Sequence, residues 1–518
     1  MPRPIILLLL VLLACQSHPE DSSISSPDDS PAVVYEVFVQ AFADGDGDGI
    51  GDLTGLTQKL SYIRDLGADA IWLMPIHPSP SYHKYDVVDY RAIHPDYGTM
   101  DDFKVLLDSA HQMGLKIMLD LVINHSSDQH PWFQAALAGA ESPYRDYYVW
   151  ADYDSIKHEL EKKSVSLDSD NLTQWHLLRG QAQAYYGFFW GGMPDFNFDS
   201  PELRKEIYEI GRFWLEEIGV DGFRLDAARH IYPDDQAEKS HQFWEEFRGE
   251  MMKIKPDVYL VGEVYEKPEI VTPYLKGLPA LFNFGLAEAI IQTINQGRDS
   301  GLVAYHQAIQ EAYRAVNPDF IDATLLSNHD QNRIRSALGG SQAKARLAAS
   351  ILFTLPGTPY IYYGEEIGML GQKPDEYIRE PFLWGEGDPA QTSWIEPRYS
   401  LADSVANGED QRIDSSPFSS SFYQNYRELI VLRKSEPLLT KGLISPIPGL
   451  PEGLLGYFRY TESDTLVVVH NLSDTAISLS TQISNVYRIS PKGKFIWPQK
   501  GLLSFDLHLP NKTQIYRY

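Results

Sequence analysis

Short runs of apolar or β-branched residues alternate along the chain with stretches whose apolar residues recur at the spacing of an α-helix. The apolar runs predict strands at residues 33–40, 70–75, 115–122, 219–226, 258–263, 280–284, 322–327 and 359–363. The helical spacing predicts helices at residues 53–66, 100–113, 201–218, 241–254 and 342–354. Because alternating strands and helices build a parallel sheet, eight such units predict an α/β fold, a closed (β/α)8 TIM barrel.

Two regions depart from this alternation. The segment between the third predicted strand and the helix predicted at 201–218 is far longer than an ordinary connection, so we expect an inserted subdomain there. After a further predicted helix at residues 422–433, the chain reads as short strands broken by Gly, Pro and Asn. This last pattern predicts a C-terminal antiparallel β-sandwich domain. A chain of 518 residues is long enough for such a division, because single cores stop growing beyond roughly 250–300 residues.

The N-terminus has the pattern of an export signal. Arg3 precedes an apolar run at residues 5–13, which is too short to span a bilayer as a helix. The run leads to LLAC, which ends at Cys15 and resembles the lipobox of bacterial lipoproteins, where the signal is removed and the cysteine is acylated. We therefore predict a signal peptide at 1–14, lipidation of Cys15, a flexible tether at 15–31 and a place in the bacterial cell envelope. An ordinary signal peptide with a chance cysteine, and hence secretion, is the alternative.

Charge narrows the range of partners. The chain has 71 acidic and 44 basic residues, a formal net charge of −27, which would repel phosphate backbones and anionic lipid surfaces. Nucleic acid is therefore not an expected partner, and contact with a membrane is expected only through the lipid anchor. A neutral polymer or a metal cation is compatible with this charge, as is a merely soluble surface. Cys15 is the only cysteine, so no intramolecular disulfide is possible. As a separate expectation, we predict that the chain is a monomer.

Polar residues end four of the predicted strands. In a (β/α)8 barrel the carboxyl ends of the strands meet at one face, where catalytic groups lie. The strand ends read DLVINH at 120–125, GFRLD at 222–226, GE at 262–263 and SNHD at 327–330. One buried carboxylate could simply hold a loop. Four charged strand ends at one face indicate an active site, because clustered charges cost free energy unless they are paired or used.

The acids at these strand ends suit the cleavage of an acetal. That reaction needs one carboxylate at the anomeric carbon and a second, protonated carboxyl group that donates to the leaving oxygen. Arg224 lies two residues before Asp226, so strand alternation places both side chains on one face, where the guanidinium would keep Asp226 ionised as a nucleophile. Glu263 is then predicted as the acid/base, since neighbouring carboxylates raise one another's pKa.

The four segments resemble the conserved regions of the α-amylase superfamily, glycoside hydrolase family 13. DLVINH, GFRLDAARH, GEVY and SNHD occur in the family's order, and the resemblance extends from about residue 34 to the C-terminus. It implies a retaining enzyme with Asp226 as nucleophile, Glu263 as proton donor and Asp330 as the third acid, which binds sugar hydroxyls and stabilises the transition state. It also implies that the subsite on the non-reducing side of the cut is lined by Tyr85, Asp86, His125, Arg224 and His329.

The same resemblance suggests what the insertion after the third predicted strand and the C-terminal strands correspond to. The insertion looks like the family's domain B, and the terminal sandwich looks like its domain C. The predicted limits are 32–125 for the first part of the barrel, 126–198 for domain B, 199–434 for the second part of the barrel and 435–518 for domain C. Within the aromatic run YYGFFWGG at 185–192, we expect most rings to pack in a core, with Trp190 the best candidate for stacking on a sugar.

Two segments bear on fine specificity in opposite directions. MPDFN at 193–197 lies between the MPKLN of neopullulanases and the QPDLN of oligo-1,6-glucosidases. Arg229 and His230 look like the LDAxKH form of true α-amylases, where the pair contacts sugar beyond the cut, with arginine in place of the usual lysine. We expect endo-acting hydrolysis of α-1,4 bonds in starch-like glucans. The alternatives are an exo-acting α-glucosidase, an oligo-1,6-glucosidase or a transglycosylase of the same family, and a non-catalytic glucan-binding homologue.

An aspartate-rich loop follows the first predicted strand. Its candidate oxygen donors are the carboxylates and one carbonyl of Asp44, Asp46, Asp48, Ile50 and Asp52. Hard oxygen donors in this number select Ca2+, and oligoglucosidase-like members of the family bind Ca2+ in a loop of this kind. The loop is not an EF-hand, because Gly55 stands where the bidentate glutamate would fall. We predict a structural Ca2+ here, with a solvated acidic turn as the alternative.

Overall fold

The computed structural model describes residues 31–161, 173–178, 183–385, 387–400, 417–475, 477–481, 503–507 and 513–517. The predicted signal peptide at 1–14, the lipidation site Cys15 and all but the last residue of the predicted tether at 15–31 lie outside the described residues. In chain order the strands are β1 Val34–Val37, β2 Ala70–Leu73, β3 Lys116–Leu121, β4 Trp150–Asp152, β5 Trp175–Leu177, β6 Gln183–Tyr186, β7 Gly222–Leu225, β8 Tyr259–Gly262, β9 Ala280–Phe282, β10 Ile321–Leu325, β11 Thr358–Tyr362, β12 Leu443–Pro446, β13 Leu454–Tyr460, β14 Thr465–Asn471, β15 Ile477–Thr481, β16 Leu503–Leu507 and β17 Thr513–Arg517.

Eight parallel strands close into a barrel in the order β1-β11-β10-β9-β8-β7-β3-β2. Each of them overlaps one of the eight predicted apolar runs, so the predicted (β/α)8 fold is confirmed. Most predicted runs are longer than the strands. The difference falls mainly at the carboxyl ends, where the chain leaves the barrel and the apolar run continues into the packed loop.

Helices surround the barrel. In chain order they are α1 Val39–Phe42, α2 Leu53–Leu66, α3 Met100–Gln112, α4 Pro131–Ala136, α5 Tyr153–Glu161, α6 Pro201–Arg212, α7 Ala237–Ile254, α8 Pro268–Val271, α9 Phe284–Gln296, α10 Leu302–Val316, α11 Ile334–Ala337, α12 Gln342–Thr354, α13 Asp375–Ile378, α14 Ser421–Ser435 and α15 Pro437–Lys441. The prediction of one α-helix at 201–218 was wrong at its end, because α6 stops at Arg212 and the chain continues as a π-helix, Phe213–Ile218. Among the described residues, no helix combines the length and apolar character needed to cross a bilayer.

α2 shows how the sequence specifies an outer helix. The Asp52 carboxylate accepts a hydrogen bond of 2.7 Å from the Gly55 backbone N–H and so caps the first turn. Gly67 ends the helix with a φ of 108°, a left-handed conformation that favours glycine. Leu56 and Leu60, one helical repeat apart, are fully buried against the barrel.

A small antiparallel sheet, in the order β4-β6-β5, stands between β3 and α6, where the inserted subdomain was expected. Isolated bridges tie this region to the barrel, between His125 and Asp195 and between Tyr148 and Phe196. In the aromatic run, Tyr185 is buried, as expected for core packing. Trp190 is 45% exposed, and its role as a sugar contact stays a prediction.

The C-terminal part is antiparallel, as predicted. β12, β13, β14 and β17 form one sheet, and β15 pairs with β16. The sheet shares an apolar core with α12, in which Leu455 and Val468 pack with Leu347 and Ile351. The buried guanidinium of Arg459 donates to the backbone carbonyl at the end of α12 at 2.6 Å. The domain limits given above stay predictions, but the barrel and this sheet share one core.

Candidate active site

Asp226 and Glu263 meet at the carboxyl end of the barrel. Asp226 follows β7 and Glu263 follows β8, the neighbouring strand. The Arg224 guanidinium donates to Asp226 Oδ1 at 2.6 Å, and its other terminal nitrogen lies 2.8 Å from Glu263 Oε2. Because one guanidinium contacts both carboxylates, they face a common space rather than opposite sides of the molecule.

Arg224 has a third acidic partner, Asp120 on β3, at 2.8 and 2.9 Å. Burial raises the pKa of Asp120 to about 7, against the opposing effect of Arg224. Asp120 also accepts hydrogen bonds from Trp72 at 3.3 Å and from the Tyr85 hydroxyl at 3.0 Å. The sequence placed Asp120 at a strand end but assigned it no role. The structure shows that the Asp120 carboxylate holds the Arg224 guanidinium through the two hydrogen bonds of 2.8 and 2.9 Å.

The pKa values of the two central acids are raised. Burial is the largest cause for both Asp226 and Glu263, and the Asp330 charge adds to it, while Arg224 opposes it. The pKa of Asp226 is lowered both by the Arg224 charge and by the hydrogen bond from it, whereas that of Glu263 is further raised by the Asp226 charge. This asymmetry favours a proton on Glu263 and an ionised Asp226.

Asp330 has the opposite electrostatic environment. Its carboxylate lies 3.1 Å from His329 Nε2 and 2.9 Å from the Arg379 guanidinium. These two cations, with Arg224, hold the pKa of Asp330 below its usual range although burial raises it. The Asp330 side chain is 43% exposed, against 9% for Asp226, so it borders the open part of the site.

His329 links Asp330 to Glu36, a residue of the barrel strand β1. Its Nδ1 lies 2.5 Å from Glu36 Oε1 on β1, and its Nε2 lies 2.6 Å from the Tyr85 hydroxyl oxygen. The Tyr85 and His329 rings stack with centroids 5.4 Å apart. The Asp330 and Glu36 carboxylates raise the pKa of His329 to about 10 against the effect of burial.

Asp86 and His125 complete the predicted subsite. Asp86 is buried and accepts a hydrogen bond of 2.5 Å from Ser79 Oγ. His125 Nε2 lies 3.2 Å from the Tyr85 carbonyl oxygen, and burial lowers the pKa of His125 to about 4, so the ring is neutral near pH 7. The structure therefore brings Tyr85, Asp86, His125, Arg224 and His329 to the carboxyl end of the barrel with the three acids.

Arg229 and His230 lie in the turn that follows Asp226. They line a cleft of about 790 Å³ together with Phe188 and Tyr265. His230 stacks on Phe188 with ring centroids 4.0 Å apart, and burial lowers the pKa of His230 to about 4. Arg229 donates to both oxygens of Asp234, at 3.0 and 2.8 Å, and to Glu266 at 2.9 Å. Its guanidinium is thus held in an ion-pair network at the wall of the cleft.

Two strained residues stand beside the site. In the described part of the chain, the non-glycine residues with positive φ are Lys84, at 66°, and Ala227, at 46°. Lys84 precedes the Tyr85-Asp86 pair, and Ala227 follows Asp226 and donates its N–H to Glu263 Oε2 at 3.1 Å. Left-handed backbone at such residues costs of order 1–3 kcal/mol, so the surrounding fold must hold them there.

The aspartate loop brings together only part of the predicted metal set. Carboxylate oxygens of Asp44, Asp46 and Asp48 lie within 4.8 Å of one another, which fits the hard oxygen donors that Ca2+ takes. Asp52 lies outside this group, and its two oxygens accept from the Gly45 and Gly55 N–H groups at 2.7 Å, the second of which caps α2, so its part in a metal site stays a prediction. The part of the Ile50 carbonyl stays a prediction.

Sequence reasoning missed two residues of the site. Glu36 carried a signal, since a carboxylate in the apolar run VVYEVFV has to be buried with a partner. Arg379 carried none, because it lies in the long loop after β11, outside every recognisable motif.

Known proteins resemble this chain over most of its length. A family model described as the α-amylase catalytic domain matches residues 36–442. α-Amylase 3 of Dictyoglomus thermophilum is 46% identical over 444 residues, covering 85% of each chain. A 4-α-glucanotransferase of Thermotoga neapolitana is 35% identical over 457 residues, covering 85% of this chain and 95% of that protein. The crystal structure of an α-amylase from H. orenii has a TM-score of 0.80 and 42% identity, covering 93% of this chain and 98% of that one.

Proposed function

This chain belongs to the α-amylase family of glycoside hydrolases, and from that premise we propose that it cleaves internal α-1,4 bonds of starch-like glucans with retention of configuration. The observation that carries the proposal is the placement of Asp226 and Glu263 on one guanidinium, Arg224. Retaining enzymes need their two carboxyl groups within about 5–5.5 Å of each other, and a shared guanidinium supports such a separation.

The reaction follows from the different environments of the two acids. Glu263 donates its proton to the glycosidic oxygen while an Asp226 oxygen attacks the anomeric carbon, so the glycosidic bond breaks and a glycosyl ester forms. The shortened glucan leaves with the proton. Water then attacks the anomeric carbon of the glycosyl ester and gives its proton to the Glu263 carboxylate, and the bond to the Asp226 oxygen breaks, which releases Asp226. Asp330, held ionised by His329 and Arg379, binds sugar hydroxyls and stabilises the positive charge that develops on the ring.

The cleft lined by Arg229 and His230 supports endo action. It is lined by aromatic rings, among them Phe188, Tyr232 and Tyr265, which suit the apolar faces of sugars on the leaving side of the cut. The same cleft supports a second candidate, transfer of the glycosyl group to an acceptor sugar instead of water, and one relative is named a glucanotransferase.

Product analysis tests the proposal. The wild-type chain is expected to release short maltooligosaccharides early from amylose while iodine staining falls, with the α-anomer as the first product by proton NMR. Glucose alone would favour an exo-acting α-glucosidase, products longer than a maltooligosaccharide substrate would favour transfer, and no turnover of any α-glucan would refute the proposal.

Asp226→Asn tests the assignment of the nucleophile. The variant is expected to lose turnover by on the order of 10³-fold or more, because the attacking oxygen is neutralised. Asp322→Asn is the matched control, since Asp322 is a buried carboxylate near the opposite end of the barrel, on β10, where it accepts hydrogen bonds from Asn283 and Gln310. Near-wild-type turnover of a folded Asp226→Asn variant would contradict the assignment.

We also propose that Asp44, Asp46 and Asp48 hold a structural Ca2+, which would neutralise their mutual repulsion and stiffen the loop before α2.

The sequence further supports export as a lipoprotein acylated on Cys15. In a bacterial host, incorporation of labelled fatty acid into the wild type but not into Cys15→Ser is the expected result. Equal labelling, or none in either, would contradict the anchor.

A further inference from the structure

Both ring nitrogens of His329 lie beside carboxylate oxygens. Nδ1 lies 2.5 Å from Glu36 Oε1, and Nε2 lies 3.1 Å from Asp330 Oδ2. The Tyr85 hydroxyl oxygen lies 2.6 Å from Nε2 and 3.0 Å from Asp120, so its proton goes to Asp120 when Nε2 is protonated and to Nε2 when it is not. An imidazolium carries a proton beside each of the two carboxylates, whereas a neutral imidazole leaves one of its nitrogens without a proton there.

The charged groups around His329 come from several elements. The acids that interact with it are Glu36 of β1, Asp120 of β3, Asp226 after β7, Glu263 after β8 and Asp330 beside it. Arg379 donates to the His329 carbonyl at 2.9 Å, and the uncharged Trp72 ring packs edge-on with centroids 5.5 Å apart. Among these acids only Glu36 and Asp330 lie on the ring nitrogens themselves, and Asp330 is partly open to water.

We propose that Glu36 is a positioning residue for the hydrolysis proposed above, and that it keeps His329 as an imidazolium whose charge lies beside Asp330. Glu36 is 1% exposed and does not reach the space between the acids, so it acts through His329. The imidazolium charge in turn favours the ionised forms of Asp226 and Asp330. Without Glu36, the ring would lose its proton at lower pH, and the ionised forms of the two acids would lose that support.

Glu36→Gln removes the charge with almost no change in size. An opposite charge at this distance changes a pKa by about 1–3 pH units, so the pKa of His329 is expected to fall by that amount in Glu36→Gln. Above the lowered pKa the ring is neutral and kcat/KM on a maltooligosaccharide is expected to fall, which moves the alkaline limb to lower pH even though loss of the imidazolium raises the pKa of Glu263. Near the pH optimum the loss in kcat/KM should be smaller than at high pH. Asp322→Asn is the matched control for replacing a buried carboxylate by an amide, and its pH profile should follow the wild type.

Side-chain nitrogen NMR tests the protonation state without substrate. In the full chain labelled with ¹⁵N-histidine, the His329 signals are assigned by their absence in His329→Gln. Both nitrogens are expected to be protonated from pH 6 to 8 in the wild type, and in Glu36→Gln one of them is expected to lose its proton at a pH about 1–3 units lower than in the wild type. A neutral ring in the wild type at pH 7 overturns the proposal, and so does an unmoved alkaline limb in folded Glu36→Gln.

The outcomes separate this proposal from the function on which it rests. If Glu36→Gln does not fold, the wild-type NMR spectrum alone decides the protonation state. An imidazolium in a chain that hydrolyses no α-glucan would refute the proposed function and leave the state of His329 established. Hydrolysis by a chain whose His329 is neutral would refute the role of Glu36 alone.

Discussion

At the scale of single residues, two buried guanidinium groups set the charges of three acids. Arg224 contacts Asp226 and Glu263, and Arg379 contacts Asp330. A buried charge is tolerated only when it is paired, so each arginine stabilises the ionised form of the acid that it touches. The pKa of Glu263, which shares Arg224 with Asp226 and Asp120, is raised, while that of Asp330, which contacts both His329 and Arg379, is lowered and keeps this acid ionised.

Arg379→Gln should change the acidic side of the pH profile. The positive charge of Arg379 lowers the pKa of Asp330, so its removal raises that pKa and Asp330 takes up its proton at a higher pH. The acidic limb of kcat/KM is therefore expected to move to higher pH, with a loss of about tenfold at mildly acidic pH for every pH unit that the limb moves. Initial rates on a maltooligosaccharide across pH 4–8 measure the effect.

Arg379→Lys is the control for that change, because it keeps the charge but not the fork that binds Asp330 and the His329 carbonyl together. Its acidic limb should lie near that of the wild type while KM rises. An acidic limb of kcat/KM that stays in place in Arg379→Gln would show that ionisation of Asp330 does not set this limb in the free enzyme.

The two missed residues differ in what a sequence can reveal. A carboxylate inside an apolar strand, as at Glu36, indicates that a buried partner exists. The partner, His329, lies almost three hundred positions away in the sequence, and only closure of the barrel brings the two side chains together. Arg379 is contributed by a loop whose path depends on the packing of many side chains. Strand periodicity predicts which residues face the barrel end, but it carries no information on where long loops return.

At the scale of elements, β7 depends on a glycine at its first position. A Cβ at Gly222 would lie 2.1 Å from the Tyr259 carbonyl oxygen of β8, against backbone that cannot move without breaking the barrel. The strand that carries Arg224 and leads to Asp226 therefore pairs closely with the strand that leads to Glu263. This close approach places the two acids side by side.

Gly222→Ala is expected to destabilise the protein by about 1–3 kcal/mol or more, because overpacking forces the two strands apart. Gly249→Ala is the matched control, since nothing lies within 4 Å of a Cβ there and alanine in the middle of α7 should stabilise by about 0.5–1 kcal/mol. Thermal unfolding followed by circular dichroism compares them. Equal melting temperatures for the two variants would contradict the close approach.

The proposed calcium loop, residues 44–48, is a second element whose contribution to stability can be measured. Chelation is expected to lower the melting temperature, and added Ca2+ to restore it, because an ion that binds only the folded chain stabilises it by about 2.7 kcal/mol at one hundred times its Kd. Asp46→Asn with Asp48→Asn should abolish this dependence while kcat at low temperature stays unchanged. Asp52→Ala should lower stability by about 0.5–2 kcal/mol through loss of the α2 cap and keep the dependence on Ca2+.

At the scale of the whole molecule, the barrel and the C-terminal sheet share an apolar core, so they should unfold together. Leu455→Ala, at a fully buried position of that core, is expected to cost about 2–5 kcal/mol and to lower the temperature of inactivation in parallel. Leu443→Ala, at a position on β12 that is 42% exposed, should have little effect. Calorimetry that resolves two separate transitions, with the barrel transition unmoved by Leu455→Ala, would contradict a common core.

The sequence predicted the barrel and its catalytic face well, because period and strand-end chemistry are local patterns. It predicted an inserted subdomain from an over-long connection but not the order of its strands, because those strands are short. The role of Asp52 as a metal ligand stays a prediction, and the structure adds that this residue caps α2, a use that depends on its neighbours in space.

The left-handed backbone at Lys84 and Ala227 has a practical consequence for protein engineering. Selection of variants for thermal stability alone would favour glycine or asparagine at both positions, because these residues adopt the left-handed backbone conformation at a lower cost. Each replacement would also loosen the loop that presents a neighbouring site residue. Improved heat tolerance gained at these two places should therefore come with slower turnover, and a screen that scores the two properties together would leave them untouched.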